Sequence, residues 1–382
     1  MSSKSLNNAI PIFLVLGSLY LFDNPSLSLA GLVLIILSLA LLVLNVVREA
    51  AKFSLPLVLV LGLIVLGNAA ALAVDTSPAA MRIFLVQLVV YLFILMVFTA
   101  KLDDDFVTMT KNVVLAMGLC LAPFVVLMIA AGGNDAHLRM FNTVFSFVIY
   151  KSLLPVYCVS ALNNRYVLLK TALFVSLFYL IGERASAVCC IVFAVLYYLH
   201  GFIVKSKTTS MLLFALFIVV VTAGPFIYVG LDGTALGIQI NAISRELTGS
   251  NFFSGRNIIW AQSIADILAN PIWGNGLNSR LMLGDGTLSL HNTFLTILYQ
   301  GGMVGYALFI SFLALIWKHV VHAAPDNPYA RIAFASFGLL LCLGCFEVSL
   351  VQNSVNVSLL MWLIIAACSN YEPEETVRRK LL

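Results

Sequence analysis

Apolar residues in this chain run on without a break for most of its length, rather than alternating or recurring once per helical turn. The runs fall at 9–22, 27–47, 54–74, 82–100, 112–131, 141–162, 166–182, 186–203, 210–230, 292–316, 332–350 and 355–369. A continuous apolar stretch of about 20 residues is what a helix needs to cross a bilayer, so the pattern predicts about twelve spanning helices. The first run is short enough to imitate a signal peptide, but no small-residue cleavage site follows it, and it reads as a retained helix. One stretch, 231–290, departs from the rhythm. There Ser254 is a suitable cap, Arg256–Ala269 carries apolar residues at helical spacing, and Asn270-Pro271 stops the helix. Glycines at 274, 276, 284 and 286 supply turns beyond it. The expectation is an amphipathic helix lying on the outer membrane surface, followed by a folded loop.

Composition narrows the class. Apolar residues make up 62% of the 382 and charged residues only 10%, against about 25% in soluble domains. That excludes a water-soluble fold and a disordered chain. A transmembrane barrel would alternate polarity over segments of about ten residues, which this chain does not do. The predicted fold is therefore all-α, a polytopic membrane bundle. Twelve spans leave no room for a separate soluble domain, so residues 1–382 read as one bundle with 231–290 as its large loop. The net charge of +4 speaks to topology rather than to nucleic acid. The cysteines all lie within apolar runs, and Cys342-x-x-Cys345 reads as packing, since free cysteine behaves as a small hydrophobe.

Cytoplasmic loops collect Lys and Arg. With the N-terminus inside, the inner segments carry Lys4, Arg48, Lys52, Lys101, Lys111, Arg165, Lys170, Lys205, Lys207, Lys318, Arg331, Arg378, Arg379 and Lys380. The outer ones carry only Arg82, Arg139, Arg184, Arg245, Arg256 and Arg280. Both termini are thus expected in the cytoplasm, with 231–290 outside. Every outer cation is an arginine, whose planar fork grips phosphate where lysine acts as a point charge. Lys151 falls inside a span, with no partner legible in the sequence.

Three outer sites could carry chemistry. Gly182-Glu183-Arg184-Ala185-Ser186 is a very short loop that sets Arg184 at the membrane boundary, where it is either an interface anchor paired with Glu183 or a ligand for an anion. Ser254-Gly255-Arg256 opens the loop helix, and a helix N-terminus attracts anions through its free N–H groups. His291-Asn292 stands at the mouth of a span, where an imidazole can cap, anchor or accept a proton.

In their order these pieces resemble the O-antigen ligase and polymerase superfamily: Ser254-Gly-Arg-Asn-Ile-Ile-Trp260, Asn270-Pro-Ile-Trp-Gly-Asn-Gly276, then His291-Asn followed by nine residues, Gly302, two residues and Gly305. The resemblance covers about 181–310, and the remaining spans match in number and topology. Many relatives read Ser-Arg-Gly where this chain reads Glu183-Arg184-Ala185. The resemblance implies a helical glycosyltransferase of the C type in the bacterial inner membrane, inverting, needing no metal or other cofactor, with its active site on the periplasmic side. The donor would be a glycan on undecaprenyl diphosphate. The acceptor would be a lipid A-core sugar hydroxyl for a ligase or a second lipid-linked unit for a polymerase, and the histidine-to-glycine spacing favours the ligase. By the same resemblance Arg184 and Arg256 meet the diphosphate and His291 meets the acceptor hydroxyl. Arg245, Arg280, Asn292 and Trp260 join them as substrate-binding candidates, Trp260 and Trp273 suiting the membrane interface as well as a sugar ring.

Two other readings set limits. A transporter or flippase should place polar groups at mid-bilayer, often with repeat symmetry, yet only Lys151 and Asn353 are tempting there. Metal chemistry would need clustered ligands outside. Asp103-Asp104-Asp105 and the His319/His322 pair both fall inside, where a solvated helix end explains the first.

Overall fold

A computed structural model describes residues 8–17, 25–130, 143–163, 165–249, 251–253, 255–278, 281–283, 286–323, 327–353 and 355–371. Helices α1 (Ala9–Leu16), α2 (Pro25–Arg48), α3 (Leu55–Val74), α4 (Pro78–Thr99), α5 (Asp104–Ala130), α6 (Thr143–Ser160), α7 (Val167–Leu180), α8 (Arg184–Ile203) and α9 (Lys207–Leu231) follow one another along the chain. Then come α10 (Ala235–Thr248), α11 (Arg256–Ala269), a hairpin of two three-residue strands, β1 (Leu281–Leu283) and β2 (Gly286–Leu288), and finally α12 (Thr293–Val321), α13 (Ala330–Gly344) and α14 (Val355–Ser369). Among the described residues, seven helices are long and apolar enough to cross a membrane by themselves: the Leu29–Arg48 part of α2, then α3, α4, α5, α8, α9 and α12. Helices α7, α13 and α14 are apolar but shorter.

The ends of these helices follow ordinary capping chemistry. The Ser77 hydroxyl accepts from Ala80 N–H at 3.2 Å and Pro78 opens α4. Ser206 caps α9 in the same way, through Thr209 N–H at 3.2 Å. The centre of the bundle is α14, apolar on every side and buried on every side, with Trp362 fully enclosed. Helix α13 runs against it and packs along α8; α1, α4, α5 and α6 line α14, and α12 touches both. A second, smaller core joins the large loop to the bundle: Trp260 and Ile267 of α11 pack with Leu290, Leu295 and Tyr299.

Two features differ from the sequence reading. The predicted span 332–350 ends early, because α13 stops at Gly344 and residues 345–353 form turns. Side chains of the preceding helix hold that unwound backbone, Asn292 Nδ2 donating to the Cys345 carbonyl at 3.0 Å and the Thr293 hydroxyl to the Glu347 carbonyl at 2.8 Å. Hydropathy cannot register such tertiary partners. The large loop holds two helices rather than one, Thr234 capping α10 through Gly237 N–H at 3.0 Å and Gly249 closing it at φ 68°. Helix α11, read as amphipathic, also packs one face against α9 and α12, burying Trp260, Ser263 and Ile267 there while Ile258 and Leu268 stay exposed.

Candidate functional site

Four connections converge at one end of the bundle: the α7–α8 turn with Glu183 and Arg184, the start of α11 with Arg256, the approach to α12 with His291 two residues before the helix, and the 345–353 turns with Glu347. Glu347 is the hub. Its Oε2 lies 3.2 Å from His291 Nδ1 and 3.3 Å from Lys151 Nζ. Lys151 comes from the middle of α6 and is buried, so the cation without a legible partner has one here. A charge inside a bundle costs several kcal/mol unless an opposite charge meets it.

The field of these cations shows on the two acids. Burial alone would raise Glu347, but the His291 hydrogen bond, the Lys151 charge, and the smaller pulls of His291 and Arg256 outweigh it and hold the carboxyl down to about 2. Glu347 is therefore a carboxylate at any physiological pH and can only accept a hydrogen bond. The His291 proton must then sit on Nδ1, which leaves Nε2 as the lone-pair nitrogen of the neutral ring. Glu183 goes the other way. It keeps some accessible surface but is closely surrounded by protein, and burial pushes it up to about 7, helped by the Glu347 charge and opposed by Lys151, Arg256 and Arg184.

The backbone around His291 is tightly determined. His291 itself has φ 48°, a left-handed conformation unusual outside glycine. Trp260 Nε1 donates to the carbonyl of Leu290 at 2.8 Å, and Asn292 Oδ1 caps α12 through Leu295 N–H at 2.9 Å. Fixed from both flanks, the imidazole still has 40% of its side-chain surface open.

The first glycine of the sequence pattern, Gly302, has a structural reason. Helix α12 breaks at Gly302 (φ 58°, ψ −159°), a conformation closed to residues with a Cβ. The break frees two carbonyls and two N–H groups, and the 270–276 turn satisfies all four. Asn275 N–H donates to Tyr299 at 2.8 Å, Gly276 N–H to Gln300 at 3.2 Å, Met303 N–H to Pro271 at 2.8 Å, and Val304 N–H to Ile272 at 3.2 Å. A Cβ on Gly302 would sit 2.4 Å from the Ile272 carbonyl oxygen, and one on Gly274 (φ 76°) 2.5 Å from that of Gln300. Gly305 has nothing within 4 Å and serves no such contact. Beside the break, four amides from different elements link up. Asn68 donates to Gln87 at 2.7 Å, Gln87 to Gln300 and Gln352 at 3.2 Å each, and Gln300 to Gln352 at 3.1 Å and to the Leu277 carbonyl at 2.8 Å.

Of the residues singled out in the sequence, His291 and Arg256 both act on Glu347, and Arg184 joins them through Glu183. Arg184 is exposed and donates from Nη1 to Ser244 of α10 at 3.4 Å. Arg256 is half-buried and acts on both acids. Arg245 turns its Nε to Asn251. Asn292 is buried, its amide spent on Leu295 and Cys345, and Trp260 is buried with its ring N–H taken by Leu290. Arg280 and the cap expected at Ser254 lie outside the described residues; Gly255 stands at the cap position of α11. Lys151 and Glu347 were missed as site residues. The signal available was that two opposite charges each fell inside a predicted span, 141–162 and 332–350, and charges there seek each other.

Among the described residues, two arginines, a carboxylate-bound histidine and a buried Lys–Glu pair thus gather at one end of the bundle. Residues 169–310 match the family model for O-antigen ligase, so this stretch of the chain is similar to that family. The matched stretch contains Glu183, Arg184, Arg256, His291, Gly302 and Gly305, whereas Lys151 and Glu347 flank it. No curated protein matches the chain.

Proposed function

We propose that the chain is a glycosyltransferase of the bacterial inner membrane. It takes a glycan from undecaprenyl diphosphate and transfers it to a lipid A-core sugar hydroxyl on the periplasmic side, as an O-antigen ligase. In this reading about twelve helices span the membrane, both termini are cytoplasmic, and the 231–290 loop is periplasmic. The observation that carries it is the meeting of Arg256, Arg184, Glu183 and His291, all in the stretch that matches the family, with Glu347 beyond that stretch.

The chemistry needs an electrophile, a leaving group and a base. The acceptor oxygen attacks the anomeric carbon from the face opposite the diphosphate. The carbon–oxygen bond to the diphosphate breaks, and polyprenyl diphosphate leaves with the electron pair, inverting the centre. The acceptor proton passes to His291 Nε2, the nitrogen that the Glu347 hydrogen bond leaves free. The resulting imidazolium is stabilised by the Glu347 carboxylate. Arg256 and Arg184 neutralise charge growing on the leaving oxygen, each such donor being worth roughly 3 kcal/mol.

The test is transfer by the purified chain in vesicles, with the lipid-linked donor and, in separate arms, lipid A core or more donor as acceptor. Product on lipid A core, lost in Arg256→Ala and His291→Ala, is expected. A ladder of longer lipid-linked glycans would make the chain a polymerase instead. Full transfer by both variants would remove these residues from the mechanism.

A further inference from the structure

The two members of the imidazole–carboxylate pair belong to separate pieces of the bundle. His291 leads into the first segment of α12, which ends at the Gly302 break. Glu347 belongs to the turns between α13 and α14. At 3.2 Å their hydrogen bond stands at the long end of the normal range. A relative shift of about 0.4 Å would end it. One fastening between the pieces does not prevent such a shift, since a piece held at a single point can pivot.

The structure supplies two fastenings, about 10 Å apart along α12. At the near one the Thr293 hydroxyl donates to the Glu347 carbonyl and Asn292 to that of Cys345. At the far one Gln300 Nε2 donates to Gln352 Oε1 at 3.1 Å. The Leu350 carbonyl, which accepts from Ser358 at 2.8 Å and from Trp362 at 3.0 Å, ties the turns to α14 and so does not fix them against α12. The far fastening is closed by Gln87 of α4. Its Nε2 donates to both Gln300 Oε1 and Gln352 Oε1 at 3.2 Å, and its Oε1 accepts from Asn68 of α3 at 2.7 Å. With both N–H groups and the carbonyl spent, the Gln87 amide has one orientation. Gln87 and Gln300 are 1% and 4% exposed. A buried network that is satisfied in this way admits one geometry, because breaking a link strands a polar group at low dielectric. Gln87 itself bonds to neither His291 nor Glu347, and it lies outside the stretch that matches the family.

We propose that Gln87 is a positioning residue: by joining Gln300 to Gln352 it holds the Glu347 carboxylate on His291. The proposal rests on the transferase reading for what that pair does, and one arm of its test needs no turnover. The chain has five histidines, so 15N labelling of the imidazoles, with His291→Ala for assignment, isolates the His291 signal. At a pH where the ring is neutral, the parent is expected to show the Nδ1–H tautomer alone. Gln87→Met should shift it towards the Nε2–H tautomer favoured by free imidazole, as Glu347→Gln does. Trp317→Phe, which removes a buried bond to Ser210 at the other end of α12, should leave the signal as in the parent. A parental signal in Gln87→Met, or an equal shift in Trp317→Phe, would overturn the proposal whether or not the chain transfers glycan. A shift confined to Gln87→Met in a chain that transfers nothing would uphold the positioning role and sink the transferase reading. In the transfer assay Gln87→Met should lower kcat about tenfold with KM for the donor unchanged, and should add nothing in the Glu347→Gln background, since both remove the same contact. Losses that multiply would place Gln87 outside the pair. Should Gln87→Met fold poorly, Gln87→Met/Gln300→Met/Gln352→Met removes donors and acceptors together and should regain stability without regaining the Nδ1–H signal. Recovery of both would make the cluster structural only.

Discussion

Replacing Glu347 by glutamine tests the site at its hub, since shape is kept and only charge is removed. The carboxyl is held at about 2 against an ordinary 4.5. That difference corresponds to about 3 kcal/mol of preference for the ionised form in the folded protein. Because the shift is downward, this stability is complete above pH 4.5 and is lost as pH falls towards 2, so at pH 7 the substitution removes all of it. It also leaves Lys151, whose side chain is only 9% accessible, facing an uncharged amide. Breaking a buried pair in this way costs roughly 3–5 kcal/mol. In the double variant Lys151→Met/Glu347→Gln no buried cation is stranded, and most of that loss should be recovered. Activity should not recover, because His291 loses the carboxylate that stabilises its protonated form. If half of the 3 kcal/mol belongs to the histidine contact, kcat falls about tenfold in both variants. Unfolding titrations with dodecyl sulfate in mixed micelles, on the four proteins of the cycle, give the coupling directly. A Glu347→Gln chain as stable as the parent, or losses that add to within about 0.5 kcal/mol, would refute the reasoning.

Gly302→Ala should destabilise by more than 2 kcal/mol, roughly, since it combines a forbidden backbone conformation with a clash against Ile272. Gly305→Ala, with nothing within 4 Å, should stay within about 0.5 kcal/mol, and thermal unfolding of the two compares them. Arg256→Ala should lower kcat/KM about a hundredfold and Arg256→Lys should restore only part of it, the fork being lost while the charge remains; initial rates decide this. Glu183, pushed up to about 7, is neutral below that pH and ionised above it. Ionisation adds a negative charge beside Arg184, Arg256, Lys151 and Glu347, so KM for the anionic donor should rise between pH 6 and pH 8, and Glu183→Gln should flatten that rise. Gln300→Leu should cost about 2 kcal/mol or more by leaving Gln87, Gln352 and the Leu277 carbonyl short of partners, visible as a lowered melting temperature.

Much of this protein was legible in its sequence because lipid imposes a local rule. A spanning helix must satisfy its own backbone and must be apolar for about 20 residues, and both conditions are written in consecutive residues. The same locality made the α11 helix readable from its spacing and its Asn270-Pro271 stop, and put Arg184, Arg256 and His291 together as candidates. What a run of hydropathy cannot express is where a helix is broken or stopped by partners from elsewhere. Helix α12 breaks at Gly302 because the 270–276 turn supplies four hydrogen bonds, and α13 ends at Gly344 because Asn292 and Thr293 take over its next carbonyls. Lys151 and Glu347 are separated by almost two hundred residues, and each is anomalous in its own span. Only the packing of α6 against the centre of the bundle brings them to 3.3 Å, with His291 on the other side of the same oxygen. Pairing of buried charges is a property of the assembled bundle, since the cost of burial and the attraction that offsets it both arise only once the helices have met.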